Sequence, residues 1–126
     1  MIISIGCDIV DHSLIKKLKW NSDLEKQKRC FSQKEIDLYI SHKQSNFISG
    51  RFAVKEAVLK CLGIGMEDGI SLKDIETLQL ENGKPRIELF GEVKKLSDSI
   101  GINSWHVSIS HSANFSTAYV IAEKLS

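Results

Sequence analysis

Residues 51–60, Arg-Phe-Ala-Val-Lys-Glu-Ala-Val-Leu-Lys, constrain this chain more than any other stretch. The run has no Gly or Pro, and its residues favour a helix. On a helical wheel, Glu56 and Lys60 fall one turn apart on a single stripe. Phe52 borders that stripe on one side, Ala53 and Ala57 on the other. A carboxylate and an ammonium are thus set into a largely apolar helix. Such a stripe has two readings. One is a favourable i,i+4 Glu–Lys pair on a solvated face. The other is a site, because charge among apolar neighbours is costly unless it is paired or put to use.

The rest of the chain gives this helix something to pack on. Residues 2–10 alternate, with Ile3, Ile5, Cys7 and Ile9 on one side and Ser4, Gly6, Asp8 and Val10 on the other. That pattern predicts a strand with one face buried. Asp8 shares its side with Gly6, which has no side chain to obstruct an incoming group. Ser22-x-x-Glu25 and Ser32-x-x-Glu35 both fit the capping box that satisfies free N–H groups at a helix start. The long helix is expected to run from Ser45 or Asn46 to Gly63, a residue able to take the left-handed conformation that ends helices. Residues 75–81, the pair Asn82-Gly83 and residues 86–90 read as a hairpin. Val93, Leu96 and Ile100 recur at helical spacing over 91–100. Residues 105–111 and 117–122 alternate as strands. No linker, repeat or low-complexity tract interrupts these elements. The expected fold class is α+β, with an antiparallel sheet packed against one long helix.

Size and charge narrow the function. A chain of 126 residues forms one domain, 1–126, with a single core. A formal net charge of +1 gives no global field for nucleic acid or membrane. Basic residues concentrate locally at Lys16, Lys17, Lys19, Lys26, Lys28 and Arg29; taken alone, these read as solvated helix faces. With no exposed aromatic stripe among them, a nucleic-acid-binding domain is disfavoured. Cys7, Cys30 and Cys61 are isolated, odd in number and without metal-type spacing. All three lie in apolar patterns, so buried free thiols in a reducing compartment are expected. There is no signal-peptide pattern and no apolar run of the ~18 residues a membrane span needs. A cytoplasmic protein that contacts neither membrane nor nucleic acid is expected.

Arg51-Phe-Ala-x-Lys55-Glu56-Ala-x-x-Lys60 resembles the signature of the holo-acyl-carrier-protein synthases, the short 4′-phosphopantetheinyl transferases. Ile5-Gly6-Cys7-Asp8-Ile9-Val10 resembles their Gly-x-Asp-Ile-Val segment. Val107-Ser-Ile-Ser-His111-Ser112 resembles their Val-Ser-Ile-Ser-His-Ser strand. Phe31-Ser-x-x-Glu35 matches more weakly, as does Asp74-Ile-Glu76 followed by Asn82-Gly-Lys-Pro85. The blocks stand in family order and span nearly the whole chain. The resemblance implies the 4′-phosphopantetheinyl transferase fold. It implies transfer of phosphopantetheine from coenzyme A to a serine of an apo acyl carrier protein, releasing adenosine 3′,5′-bisphosphate, in fatty acid or related biosynthesis. It implies Mg²⁺ as cofactor and a homotrimer with sites between subunits.

Breaking a pyrophosphate bond crowds negative charge on phosphate oxygens, which calls for a hard cation and positive side chains. Mg²⁺ typically uses one or two carboxylates plus substrate phosphate. The resemblance gives Asp8 and Glu56 as the metal ligands and, with Lys60, as the catalytic residues. Lys60 would offset charge near the pyrophosphate. Read alone, Asp8 is equally a cap for a helix over 9–19. The resemblance gives His111 as a coenzyme contact, with the Ser110 and Ser112 hydroxyls beside it. A lone strand histidine is more often structural, and His106, on the opposite face, is read that way. Arg51 is the candidate for the coenzyme's 3′-phosphate, because a guanidinium holds phosphate with two parallel bonds. Asn82, Gly83 and Pro85 belong to a hairpin tip that in the family lies near the adenine of a neighbouring subunit. The general base stays open between Glu56, another carboxylate and a water.

Two departures from the family pattern stand out. After Asp8 the family carries a Glu-x-x-Arg-Ile-like run, where this chain has Asp11-His-Ser-Leu14-Ile15. Leu14 thus stands where the family often has the arginine of its carrier-docking helix. Lys16, Lys17 and Lys19 on that expected helix are the substitutes for its charge; Lys16 and Lys19 lie near one another and Lys17 diverges. Cys7 replaces Thr, Val or Leu and is read as a volume-tolerant core change. The rival function is a non-catalytic coenzyme- or nucleotide-binding or carrier-docking module of the same fold. Retention of Asp8, Glu56, Lys60 and His111 together argues against it.

Overall fold

The computed structural model describes residues 1–42, 44 and 46–126. The chain opens with strand β1 (Ile2–Asp11), then helices α1 (His12–Lys17), α2 (Leu24–Cys30), α3 (Gln33–His42) and α4 (Phe47–Leu62). Two short 3₁₀ turns, Met66–Asp68 and Leu72–Asp74, lead to β2 (Ile75–Gln79) and β3 (Pro85–Leu89). Helix α5 (Gly91–Ile100), β4 (Ser104–His111) and β5 (Phe115–Glu123) complete it. The class is α+β, as expected. The strands form two antiparallel groups rather than one sheet, in the orders β1-β5-β4 and β2-β3. Residues of β3, α5, the link after it and β4, among them Ile87, Leu89, Ser97, Ile102 and Trp105, line a cleft. The first and last strands are partners, with Asp8 opposite Ala118 and Val10 opposite Ser116.

Helix α4 is the centre of the molecule. It is buried on nearly every side from Phe47 to Leu62, and only Phe52, Glu56 and Lys60 escape full burial. A helix apolar almost all round belongs in a core, and its one open stripe is the Glu56–Lys60 stripe of the sequence, with Phe52 one turn before it on the same line. Gly63, at φ 70°, ends the helix as expected and returns its N–H to Leu59 and Lys60. Ser45, one of the two starts expected for this helix, lies outside the described residues; Asn46 directly precedes it.

The sheet turns its small face to α4. A Cβ placed on Gly6 would stand 2.2 Å from the Ala57 carbonyl oxygen and 3.1 Å from Cys61 Sγ. The gap at Gly6 therefore admits the helix backbone itself. Gly6, Val10, Ser116, Ala118, Val120 and Ala122 face Gly50, Ala53 and Ala57. Small residues on both surfaces bring sheet and helix close. The bulkier residues of β1 face outward, contrary to the burial that their alternation suggested: Ile5 is 71% and Ile9 63% exposed. Cys7 is exposed among them and Cys30 half-buried, so of the three expected buried thiols only Cys61 is one. Cys7 is thus no core substitution.

Local caps also sort themselves out. β1 runs through Asp8 to Asp11, and the Asp11 side chain caps α1 by accepting from Ser13 N at 2.9 Å. Asp8 is left free of capping. Asp23, not Ser22, caps α2. The box at Ser32 and Glu35 forms in both directions, at 3.1 and 3.3 Å. Helix α1 ends at Lys17, and Lys19 takes φ 60° in the following turn, so Lys16 and Lys19 do not share a helix. The Asn82-Gly83 turn forms, with Gly83 at φ 84° and Asn82 Oδ1 accepting from Lys84 N.

Candidate active site

Close approach at Gly6 decides the chemistry, because Asp8 follows on the same face of β1 and meets the open stripe of α4. Lys60 Nζ donates to Asp8 Oδ1 at 3.0 Å and to the Cys7 carbonyl at 3.0 Å. Of the two readings of the stripe, the i,i+4 Glu56–Lys60 pair does not form; the ammonium crosses to the strand instead. Its hydrogen bond to Asp8 holds the Lys60 pKa above the ordinary lysine value. Glu56 is half-buried, and its Oε1 is buried without a hydrogen-bond partner among the described residues. Burial raises the Glu56 carboxyl pKa first, the Asp8 charge adds to this, and Lys60 opposes it. Glu67, in the turn after α4, pushes the same way. Two carboxylates that feel one another, one with an unsatisfied buried oxygen, suit a hard divalent cation that takes its remaining ligands from phosphate and water. The described residues hold no cluster of three or more His, Cys, Asp or Glu, and Mg²⁺ needs none.

Behind this stripe lies a buried ion pair that sequence reasoning left without a role. Lys55 Nζ donates to Glu35 Oε1 at 2.7 Å, to Leu72 O at 2.9 Å and to Ile75 O. Glu35 also accepts from the Ser32 and Thr77 backbone N–H groups. Burial pushes the Glu35 carboxyl up and the Lys55 ammonium down. Three acceptors around the ammonium and three donors on the carboxylate hold both in their charged forms. The pair ties α3, the 3₁₀ turn and β2 to α4, one residue from Glu56.

Arg51 is buried, 6% exposed, with its guanidinium 3.7 Å above the Phe47 ring. Burial lowers its pKa to about 10, and Nε and Nη2 have no partner among the described residues. His111, at the end of β4, leans on α4 where Gly50 has no side chain. Burial lowers its pKa, with the nearby charges of His12 and Arg51 adding to the effect. Ser110 lies on the opposite face of the strand, and the Ser112 hydroxyl accepts from Asn114 and Phe115 N in the turn. His106 pairs with Glu123 at 2.8 Å on the outer face, away from His111. Asn82, Gly83 and Pro85 are not brought to this cluster. Pro85 and its neighbours sit beside Trp105, His106 and Val107. Trp105 and His111 are six positions apart, roughly 20 Å along β4. Beside His111, across the Ser116 hydroxyl, His12 belongs to a recess of about 550 Å³ lined also by Lys16, Lys19, Asn21, Ser22 and Ala113.

A strand carboxylate, a helix carboxylate and a lysine thus meet on a close-packed helix–sheet contact, an arrangement suited to a phosphate-bearing substrate. Comparison with known proteins gives the family. Residues 4–122 match the model of the 4′-phosphopantetheinyl transferase superfamily. A holo-[acyl-carrier-protein] synthase of Hydrogenovibrio crunogenus is 35% identical over all of both chains. The holo-[acyl-carrier-protein] synthase structure from Neisseria meningitidis superposes with TM-score 0.88 at 29% identity, over 98% of this chain and 100% of that one. The Helicobacter pylori synthase, solved in complex with coenzyme A, gives TM-score 0.81 at 34% identity, over 94% and 99%. The chain belongs to the 4′-phosphopantetheinyl transferase superfamily, in its holo-[acyl-carrier-protein] synthase branch.

Proposed function

We propose that this chain moves 4′-phosphopantetheine from coenzyme A to a serine of an apo acyl carrier protein, and that Asp8, Glu56 and Lys60 carry the transfer. The observation behind it is the Asp8–Lys60 contact at 3.0 Å beside the unpaired buried Oε1 of Glu56. Asp8 and Glu56 would hold Mg²⁺, which when bound supplies positive charge for the pyrophosphate. Lys60, exposed and held charged by Asp8, adds a mobile cation for the same oxygens. Arg51 offers two unpaired N–H groups to a phosphate, and His111 lies near enough to feel its charge. Coenzyme A in the Helicobacter pylori relative supports this substrate.

The site is completed by other copies of the chain. On the outer sheet face Ile5, Ile9 and Tyr119 are 71%, 63% and 59% exposed, with Phe115 and Ile121 beside them. Contiguous apolar patches of this kind mark interaction surfaces. The hairpin tip with Asn82, Gly83 and Pro85 lies at the far end of β4 from His111, so it reaches the adenine only in a neighbour's site. A homotrimer meets both features. The recess of His12, Lys16 and Lys19 offers positive charge to an acidic carrier, and exposed Leu14 lies on the same helix. No helix among the described residues is long and apolar enough to cross a membrane. Free thiols fit a cytoplasmic location, and a role in fatty acid biosynthesis follows from the carrier.

Incubation with coenzyme A, Mg²⁺ and a panel of apo carriers, followed by mass spectrometry, tests the proposal. Transfer appears as a phosphopantetheine adduct on one serine. Coenzyme A binding with no adduct on any carrier would favour the non-catalytic module.

A further inference from the structure

Two histidines meet one buried hydroxyl. Ser116 Oγ lies 2.7 Å from His111 Nδ1 and 2.7 Å from His12 Nε2. His12 Nδ1 lies 3.2 Å from the Ala113 carbonyl. Ser116 has no exposed surface and stands opposite His111 and Val10 in the ladder. His12 belongs to the run that departs from the family pattern, and nothing in that run marked it for a role.

The direction of each hydrogen bond follows by elimination. A carbonyl oxygen only accepts, so His12 Nδ1 carries the hydrogen. Neutral imidazole has one N–H, so His12 Nε2 accepts, and its donor is the Ser116 O–H. The Ser116 oxygen then accepts from His111 Nδ1–H. His111 Nε2 is left bare, and no hydrogen bond among the described residues engages it. These tautomers are assigned from the network of partners. The ring is also held from its other edge. A Cβ on Gly50 would lie 2.9 Å from His111 Cε1 and 3.5 Å from Nε2, so this edge rests on α4 beside Arg51.

Adding a proton distinguishes the two rings. At His111 Nε2 it leaves every bond of the chain intact. At His12 Nε2 it would turn an acceptor into a donor, and the buried Ser116 O–H would need a new acceptor. We propose that His12 and Ser116 are positioning residues that act through His111, fixing it as the Nδ1–H tautomer so that Nε2 takes a proton from water and donates to an anionic group of the substrate. The substrate half of this inference rests on the reading of His111 as a coenzyme contact. The charged or titratable neighbours of the ring are His12 and Arg51; the Arg51 charge favours its neutral form until an anion arrives, and His12 adds to this only when it is itself protonated.

Nitrogen-15 NMR of the imidazoles in the full chain tests the tautomer directly, for wild type, Ser116→Ala and His12→Phe. Neutral His111 is expected as Nδ1–H in the wild type and shifted toward Nε2–H in both variants. Steady-state kinetics then test the consequence. Ser116→Ala should raise KM for coenzyme A several-fold with kcat within about twofold, and Ser116→Thr, which keeps a hydroxyl, should restore it. Wild-type His111 found as Nε2–H, or a tautomer unmoved in both variants, overturns the relay. If the tautomer moves but KM does not, in these variants or in His111→Ala, the relay stands and the coenzyme contact of His111 is refuted. His12 is only half-buried, whereas Ser116 is fully buried, so His12→Phe keeps the test open should Ser116→Ala unfold.

Discussion

Lys60 Nζ reaches across from helix α4 to Asp8 Oδ1 on strand β1, at 3.0 Å, and leaves Glu56 one turn back on its own helix unpaired. The contact depends on how near the helix lies to the strand, and that separation is set at Gly6. Function at the stripe is therefore tied to a backbone contact two residues from the carboxylate.

Gly6→Ala should show this dependence. Its Cβ would meet a backbone carbonyl at 2.2 Å, which no rotamer relieves. Overpacking of this kind typically costs about 1–3 kcal/mol, and the displaced strand takes Asp8 with it. We expect a lower melting temperature together with a loss of transfer measured below it. Full activity in a folded Gly6→Ala would mean that Asp8 and α4 need no such approach.

The Lys55–Glu35 pair should matter through stability. Removing one partner of a buried pair leaves the other charge uncompensated, at about 3–5 kcal/mol. Lys55→Met is expected to lose that much in urea unfolding. A change near zero would show that Glu35 is already neutral or hydrated in the native chain.

If His111 contacts the coenzyme as proposed, it should set a pH dependence of coenzyme binding. Its pKa in the free protein lies below the ordinary value, and an anion beside Nε2 raises it in the complex. The advantage of wild type over His111→Gln in coenzyme A affinity is then present in full below the free-protein pKa. It is lost as pH rises through the pKa of the complex. Calorimetry across pH 5 to 9 on both proteins checks the sign; an advantage that grows with pH contradicts it.

Much of this was legible in the sequence, and the exceptions have physical causes. The Glu56–Lys60 stripe, the Gly63 stop, the Ser32–Glu35 box and the Asn82-Gly83 turn rest on local geometry, and each appears where the residues put it. Alternation over residues 2–10 has two faces, and period two does not say which one is inside. The small residues decided it, because only the face that carries Gly6 fits so close to α4. Asp8 and Asp11 are equally good caps on paper; the length of the β5 ladder carries the strand on to Asp11. His12 and Ser116 are 104 positions apart, and only strand register brings them together. Lys55 was legible as a motif residue, but its partner is 20 positions away on α3.

Carrier docking should depend on Lys16 and Lys19, which still line one recess although only Lys16 lies on α1. Charge at a rim acts mainly on association and weakens with salt. Reversing both to Glu is expected to raise KM for the carrier several-fold at low ionic strength while KM for coenzyme A changes little. Unchanged carrier kinetics would move the docking surface elsewhere, with exposed Leu14 the place to look.

The central claim is that Asp8 and Glu56 hold the cation that makes transfer possible. Its most direct measurement is the rate of phosphopantetheine transfer against Mg²⁺ concentration, for wild type, Asp8→Ala and Glu56→Ala, with circular dichroism confirming the fold. Each variant is expected to lose about 10²-fold or more, the scale of removing a preorganised electrostatic contact, while keeping the wild-type spectrum. Wild-type rates at limiting Mg²⁺ in either folded variant would contradict the account.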